Sequence, residues 1–125
     1  MNISHVILMV LLIDFLWLTL NRTRYDTLVK NVQGVSVRMN YVGAILSYLC
    51  VIGLLIFYAF PLAREKSGNK VVTSIMIGGF LGMLSYGIFN ATNIAIFEKY
   101  DWSIALLDTL WGSVLFTIAT LLYLL

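Results

Sequence analysis

Residues 71–97 read VVTSIMIGGFLGMLSYGIFNATNIAIF, an apolar run without a single charged side chain. A helix needs about 20 residues to cross the hydrocarbon core of a bilayer, because it rises only about 1.5 Å per residue. Inside lipid the backbone cannot hydrogen-bond to water, so a run of this length is expected to satisfy its own backbone as a helix. The stretch therefore predicts a transmembrane helix.

Three more apolar runs accompany this one, and the composition agrees with a membrane protein. Hydrophobic residues make up 61% of the chain and charged residues 11%, against about 25% charged residues in soluble domains. A water-soluble fold of 125 residues could not bury so much apolar surface. We predict an all-α integral membrane four-helix bundle with short loops. It forms a single transmembrane domain over residues 1–125, with spans at about 3–20, 41–63, 71–97 and 103–125.

The segments that join the spans are short and polar. Four residues of the longest one, 21–40, recur at helical spacing and predict a helix along the membrane surface: Tyr25, Leu28, Val29 and Val32. Pro61 is expected to end the second span. No Lys or Arg precedes the first run, and Asp14 lies within it. We therefore expect a retained span there rather than a cleaved signal peptide.

The basic residues of the loops give a preferred orientation. The first and third loops share one face of the membrane, which we call side B. They carry five Lys or Arg residues, against three in the second loop on the opposite face, side A. Positively charged loops tend to stay in the cytoplasm. This bias favours side B as the cytoplasmic face, with both termini on the other side.

Placing a charged or amide side chain inside the membrane costs free energy, so each such residue in an apolar span needs an explanation. Asp14 lies about 9 Å from side B at helical rise, Asn90 about 10 Å and Asp108 about 8 Å. All of these groups therefore fall in the same half of the membrane and are predicted to converge. The full candidate cluster is Asp14, Tyr86, Asn90, Thr92, Asn93 and Asp108.

Two interpretations of this cluster have equal weight. Polar side chains between transmembrane helices often serve as hydrogen-bonded packing contacts, and Asp14 could pair with Arg22 or Arg24, or stay protonated against Asn93. Alternatively, the cluster binds a ligand or a proton. Trp17, Trp102, Trp111 and Tyr100 are expected to be interface anchors or packing residues.

Two further sequence patterns are present. The first is interpreted as a helix-packing motif and the second as coincidence. Gly78 and Gly82 form a GxxxG motif, which lets a neighbouring helix approach closely. The segments DFLW, residues 14–17, and DTLW, residues 108–111, echo each other on helices that run in opposite directions. With only three identities, this echo is treated as coincidence rather than as an internal repeat.

Residues 82–95, GMLSYGIFNATNIA, and residues 107–112, LDTLWG, together resemble the signature of an uncharacterised family of small membrane proteins, domain of unknown function 2177. The family pattern is roughly Gly, Tyr, Tyr-Asp-x-Thr-Asn and then Asp-x-x-Trp-Gly, and the likeness covers nearly the whole chain. This chain has Phe89-Asn90 where the family usually has Tyr-Asp. The resemblance implies a four-helix membrane fold, in bacteria or in large DNA viruses with an internal membrane, and no assigned chemistry.

The resulting functional expectation is a structural or assembly component of a membrane, either a bacterial inner membrane or a viral internal one. The alternative is a transporter of protons or small solutes that uses the polar cluster. We expect no enzymatic activity, cofactor, metal site or nucleic-acid partner. The expected partners are the bilayer, other membrane or capsid proteins, or a second copy. Residues expected at the interface or at anionic lipid headgroups are Arg22, Arg24, Lys30 and Trp102.

Overall fold

A computed structural model describes all residues from Met1 to Leu125 and confirms the all-α prediction. Four helices are long and apolar enough to span a membrane, and the helix predicted between the first two is present. There are no strands. The helices are α1 (Ile3–Leu20), α2 (Arg22–Gln33), α3 (Tyr41–Arg64), α4 (Lys70–Ile96) and α5 (Trp102–Leu124). The ends of the four spans differ from the predicted ones by at most one residue.

Each spanning helix begins at a side chain that caps its first turn. The side-chain oxygen of Asn2 accepts a bond from the backbone N–H of Ser4, and Asn40, Asn69 and Asp101 each accept from two backbone N–H groups. The first turn of a helix has backbone donors without partners in the helix, and a short polar side chain satisfies them. Four amide or carboxylate residues therefore set where the spans start.

Pro61 lies near the end of α3, which continues to Arg64, one residue beyond the predicted end of the second span. A π-helical stretch, Leu55–Ala59, directly precedes the turn that contains the proline. Proline lacks an N–H group and its ring crowds the carbonyl one turn earlier. The wider π-helical turn gives the ring room, so the helix passes through the proline. A second π-helical stretch, Ser74–Gly79, lies in α4.

The glycines of the GxxxG motif, interpreted from sequence as a packing motif, bring α4 against α5. A Cβ atom on Gly82 would collide with the carbonyl of Gly112, and one on Gly78 would collide with Thr120. Gly112 in turn lies directly against the ring of Tyr86. Because the two backbones approach so closely, α4 and α5 form the centre of the bundle.

The two halves of the bundle differ in character. Toward side A the core is apolar: it contains Val6, Val10, Leu55, Ala59, Phe60, Leu115, Phe116 and Ala119. The rings of Phe60 and Tyr123 stack there with centroids 4.4 Å apart. Toward side B the core is polar. Most large hydrophobic side chains instead lie on the outside, which is the arrangement that a lipid solvent favours.

The first part of α3 packs loosely. None of its residues from Tyr41 to Leu54 is buried, although the following π-helical stretch buries Leu55 and Ala59. Helix α2 buries only Leu28. These two segments, both at side B, are therefore the least constrained parts of the bundle.

We expect Gly82→Ala to destabilise the protein by about 1–3 kcal/mol, because the added methyl group meets a backbone carbonyl that cannot rotate away. The control is Gly43→Ala on α3, where a Cβ atom meets nothing within 4 Å. There the better helix propensity of alanine should leave stability unchanged or raised. Unfolding in detergent measures both variants. Equal stabilities would contradict the close packing of α4 on α5.

Candidate functional site

Asp14 lies inside the bundle on α1, with only 6% of its surface exposed. Its two carboxylate oxygens have different partners. The Tyr48 hydroxyl of α3 donates to Oδ2 at 2.5 Å, and the Trp111 indole N–H of α5 donates to Oδ1 at 2.8 Å. Neither Arg22 nor Arg24 reaches Asp14, and Asn93 does not bond to it, so both pairings considered from sequence are wrong.

Asp108 lies one helical turn before Trp111 on α5 and is half-buried. The Tyr25 hydroxyl of α2 donates to Oδ1 at 2.6 Å, and the Asn90 amide of α4 donates to Oδ2 at 2.7 Å. As at Asp14, each carboxylate oxygen accepts one bond from an uncharged group. The same pattern of donors therefore surrounds both acids.

Asn90 is buried, and its orientation is determined by its neighbours. Its Nδ2 also donates to the backbone carbonyl of Tyr86 at 2.9 Å, and its Oδ1 accepts from the Tyr100 hydroxyl at 3.0 Å. A carbonyl can only accept, so the amide nitrogen must face Tyr86. Asn90 is thereby a fixed donor to Asp108.

The two tryptophans connect the two acids. The rings of Trp17 and Trp111 stack with centroids 4.4 Å apart and planes within 2° of parallel. Trp17 donates through Nε1 to the Tyr25 hydroxyl at 2.9 Å, as Trp111 donates to Asp14. Each Asp-x-x-Trp segment thus supplies one acid and one indole to the same network. The echo between residues 14–17 and 108–111, treated from sequence as coincidence, reflects this shared arrangement.

We call these residues the carboxylate network. It comprises Asp14, Trp17, Tyr25, Tyr48, Asn90, Tyr100, Asp108 and Trp111. Sequence analysis found the two acids and Asn90 because they are out of place in an apolar span. It did not assign the tyrosines and tryptophans to the site, because such residues are common at membrane interfaces. The repeated Asp-x-x-Trp spacing, treated from sequence as coincidence, is the signal that could have identified the tryptophans.

The remaining predicted residues have other positions. Tyr86 packs on Gly112 and edge-to-face on Phe116, with its hydroxyl within electrostatic range of both acids. Thr92 is exposed and does not join the network. It lies two residues after Asn90, or about 200° around the helix, and so points away. Asn93 is half-buried and lines a neighbouring pocket.

The residues expected at the membrane surface are all exposed. Arg22 and Arg24 lie at the start of α2, Lys30 pairs with Asp26 at 3.3 Å, and Trp102 is 67% exposed. The pair of Lys30 with Asp26 is the only ion pair in the structure. No Lys, Arg or His therefore neutralises Asp14 or Asp108. No group of three or more His, Cys, Asp or Glu side chains is arranged to hold a metal ion.

A pocket of about 310 Å³ opens beside Asp108, between α2 on one side and α4 and α5 on the other. Six of its nine lining residues are hydrophobic, and Asp108 supplies its charge. Its two tyrosines, Tyr25 and Tyr100, lie outside the spans. Burial raises the pKa of both hydroxyls, and the bond to Asp108 raises the pKa of Tyr25 further. Both phenols are accordingly neutral over the physiological pH range.

The fold and the network define a multi-pass membrane protein with a polar site inside its bundle. The chain belongs to the family described as Predicted membrane protein (DUF2177), which it matches over residues 1–125. The resemblance drawn from the motifs of α4 and α5 is thus confirmed.

A curated relative supports the same class. The chain is 26% identical over 110 residues to "Inner membrane protein YjgN" of Escherichia coli O157:H7. The alignment covers 81% of this chain and 28% of that protein. No solved structure matches the chain. Family, relative and fold together establish an integral, multi-pass membrane location.

Replacing Trp111 by Phe should destabilise the protein by about 1–3 kcal/mol, because a buried oxygen of Asp14 loses its donor. Trp17→Phe loses a bond to a neutral hydroxyl instead and should cost less. Trp102→Phe on the exposed end of α5 is the control and should have no effect. Detergent unfolding measures all three. An equal loss for Trp102→Phe would contradict the assignment.

Stability is expected to fall as the pH rises above about 10, the ordinary pKa of tyrosine. The raised pKa of Tyr25 keeps its phenol neutral in the folded protein while the unfolded chain ionises. The stability that depends on the neutral phenol of Tyr25 is therefore fully present below that pH and is lost as the pH rises above it. Tyr25→Phe should flatten this alkaline fall, whereas the exposed Tyr58→Phe should not. Unfolding from neutral to alkaline pH measures the slope, and identical slopes for both variants would refute the prediction.

Proposed function

We propose that this protein is a small proton transporter in which Asp14 and Asp108 take up and release protons. The observation that supports this proposal is the carboxylate network. Two acids lie inside the bundle, all four of their oxygens accept bonds from uncharged donors, and no cation pairs with either of them.

The energetics favour a site that changes its charge. A charged carboxylate at the centre of a transmembrane helix costs about 3 kcal/mol on insertion scales. A salt bridge would reduce that cost and fix the acid as an anion. Uncharged donors lower the cost of the anion without supplying a counter-charge. Each acid therefore remains free to take up a proton from outside the network.

The geometry indicates which oxygen of each acid carries the proton. The indole of Trp111 and the amide of Asn90 can only donate, so Asp14 Oδ1 and Asp108 Oδ2 must accept. The other oxygens face the hydroxyls of Tyr48 and Tyr25, which can donate or accept. A proton taken up by either acid would therefore sit on the oxygen that faces a tyrosine.

Both tyrosines come from loosely packed elements. Tyr48 lies in the unburied first part of α3, and Tyr25 lies on α2, where only Leu28 is buried. A shift of either segment would expose one acid while the stacked tryptophans on α1 and α5 stay in place. Both segments lie at side B, so either movement would open its acid toward that face of the membrane.

The test is proton movement in proteoliposomes that contain a pH-sensitive dye, driven by an imposed potassium diffusion potential. We expect wild-type protein to move protons, and Asp14→Asn and Asp108→Asn to lower the rate at least tenfold while folding normally. Glu98→Gln, in the exposed turn before α5, is the matched control and should keep the wild-type rate. A wild type that moves no protons under any imposed potential would contradict the proposal.

A structural or assembly role is the second candidate. The observation that favours it is the first part of α3, which carries no buried residue and leaves a full helix face for another protein or a second copy. In that case Asp14 and Asp108 serve as packing contacts. Replacing either acid by Asn would then lower the stability of the protein and have no effect on proton movement. The setting in a viral internal membrane stays a prediction within this second candidate.

A further inference from the structure

We propose that the pocket beside Asp108 binds a small organic ammonium ion. This inference rests on the proposed function, because the ammonium would compete with protons for the transporting acid Asp108. The pocket measures about 310 Å³, at the lower end of the range for small-molecule sites. It is therefore suited to a compact ligand.

The charge at the pocket favours a cation. Asp108 is half-buried and contributes to the lining, and no basic side chain pairs with it. Each of its oxygens accepts one hydrogen bond within the protein and has a second lone pair available. An anionic ligand would meet an uncompensated carboxylate, whereas a cation would neutralise it.

The walls favour an organic cation over a metal ion. Three aromatic rings line the pocket, from Tyr25, Phe89 and Tyr100. Ammonium groups are attracted to the faces of aromatic rings, and cages of such rings recognise substituted ammonium ions. The rest of the lining consists of Leu28, Val29 and Val32 of α2 and the amide side chains of Gln33 and Asn93. The three apolar residues suit alkyl or aryl groups on the nitrogen, which a metal ion lacks.

Binding would be coupled to proton release. The ammonium pairs with Asp108 only when this acid is ionised, so binding to the protonated form releases one proton from Asp108 Oδ1 to water. The ammonium and the proton therefore compete for the same carboxylate. Affinity should fall as the pH is lowered, and raising the ammonium concentration should expel protons.

Helix α2 forms one wall of the pocket and covers it. Helix α2 supplies five of the nine lining residues, and the bond from Tyr25 to Asp108 holds it over the site. Because α2 buries only Leu28, it can move aside at little cost. Entry is therefore assigned to the side B face, past α2.

The test is equilibrium binding of radiolabelled tetraethylammonium to the purified full chain in detergent. We expect saturable binding of one ion per chain, unaffected by excess sodium chloride, with affinity falling as the pH is lowered. Asp108→Asn should weaken binding at least tenfold. Val32→Trp, which fills the pocket from α2 without touching the acid, should weaken it as much. Val42→Trp on the exposed face of α3 and Glu98→Gln are the matched controls and should bind as wild type does.

Three results would overturn the inference: no saturable binding to wild type, undiminished binding to Asp108→Asn, or undiminished binding to a folded Val32→Trp. Proton movement by the wild type in proteoliposomes separates the two proposals. Proton movement without ammonium binding would overturn the proposed ligand and leave the transport proposal standing. Absence of both removes the transporter as well.

Discussion

Two carboxylates inside an apolar bundle are the constraint on which the rest of the structure depends. Asp14 and Asp108 cannot take their hydrogen bonds from water, so the protein must supply a donor for each oxygen. Those four donors come from α2, α3, α4 and α5. Since Asp14 lies on α1, every helix of the chain contributes to satisfying the two acids. The hydrogen bonds that these two carboxylates accept therefore connect the helices in the polar half of the bundle.

The close packing of α4 on α5 makes this arrangement possible. Gly82 and Gly112 let the two backbones approach, which brings Asn90 within reach of Asp108. The ring of Tyr86 then covers Gly112. On the other side, the stacked indoles hold α1 against α5. Helix α5 is therefore the common element of both contacts, and it carries one acid of the network and the donor to the other.

The spans and their order could be predicted from sequence, because length and apolarity alone determine what crosses a bilayer. The surface helix was also predictable from the spacing of Tyr25, Leu28, Val29 and Val32. The π-helical stretch that precedes Pro61 in α3 was not, because no local pattern indicated it. The proline was accommodated by a change of helix type in the turn before it.

The candidate site was predictable only in part. Asp14, Asn90 and Asp108 are unusual in apolar spans, and counting along each helix placed them at one depth. Tyr48, Tyr25 and the tryptophans are ordinary residues near a membrane surface, so composition gave no reason to select them. Thr92 was included because of its polarity, although its angular position excludes it. Angular position within a helix was thus as informative as polarity.

The stacked pair of Trp17 and Trp111 has an optical consequence. Two parallel indoles 4.4 Å apart share their electronic transitions, so their absorption and circular dichroism differ from those of separate tryptophans. The chain has only three tryptophans. The third, Trp102, is exposed and takes no part in the stacked pair. One indole of the pair bonds to Asp14 and the other to the hydroxyl that bonds to Asp108. The near-ultraviolet spectrum of this protein is therefore expected to change when the hydrogen bonds of either acid change.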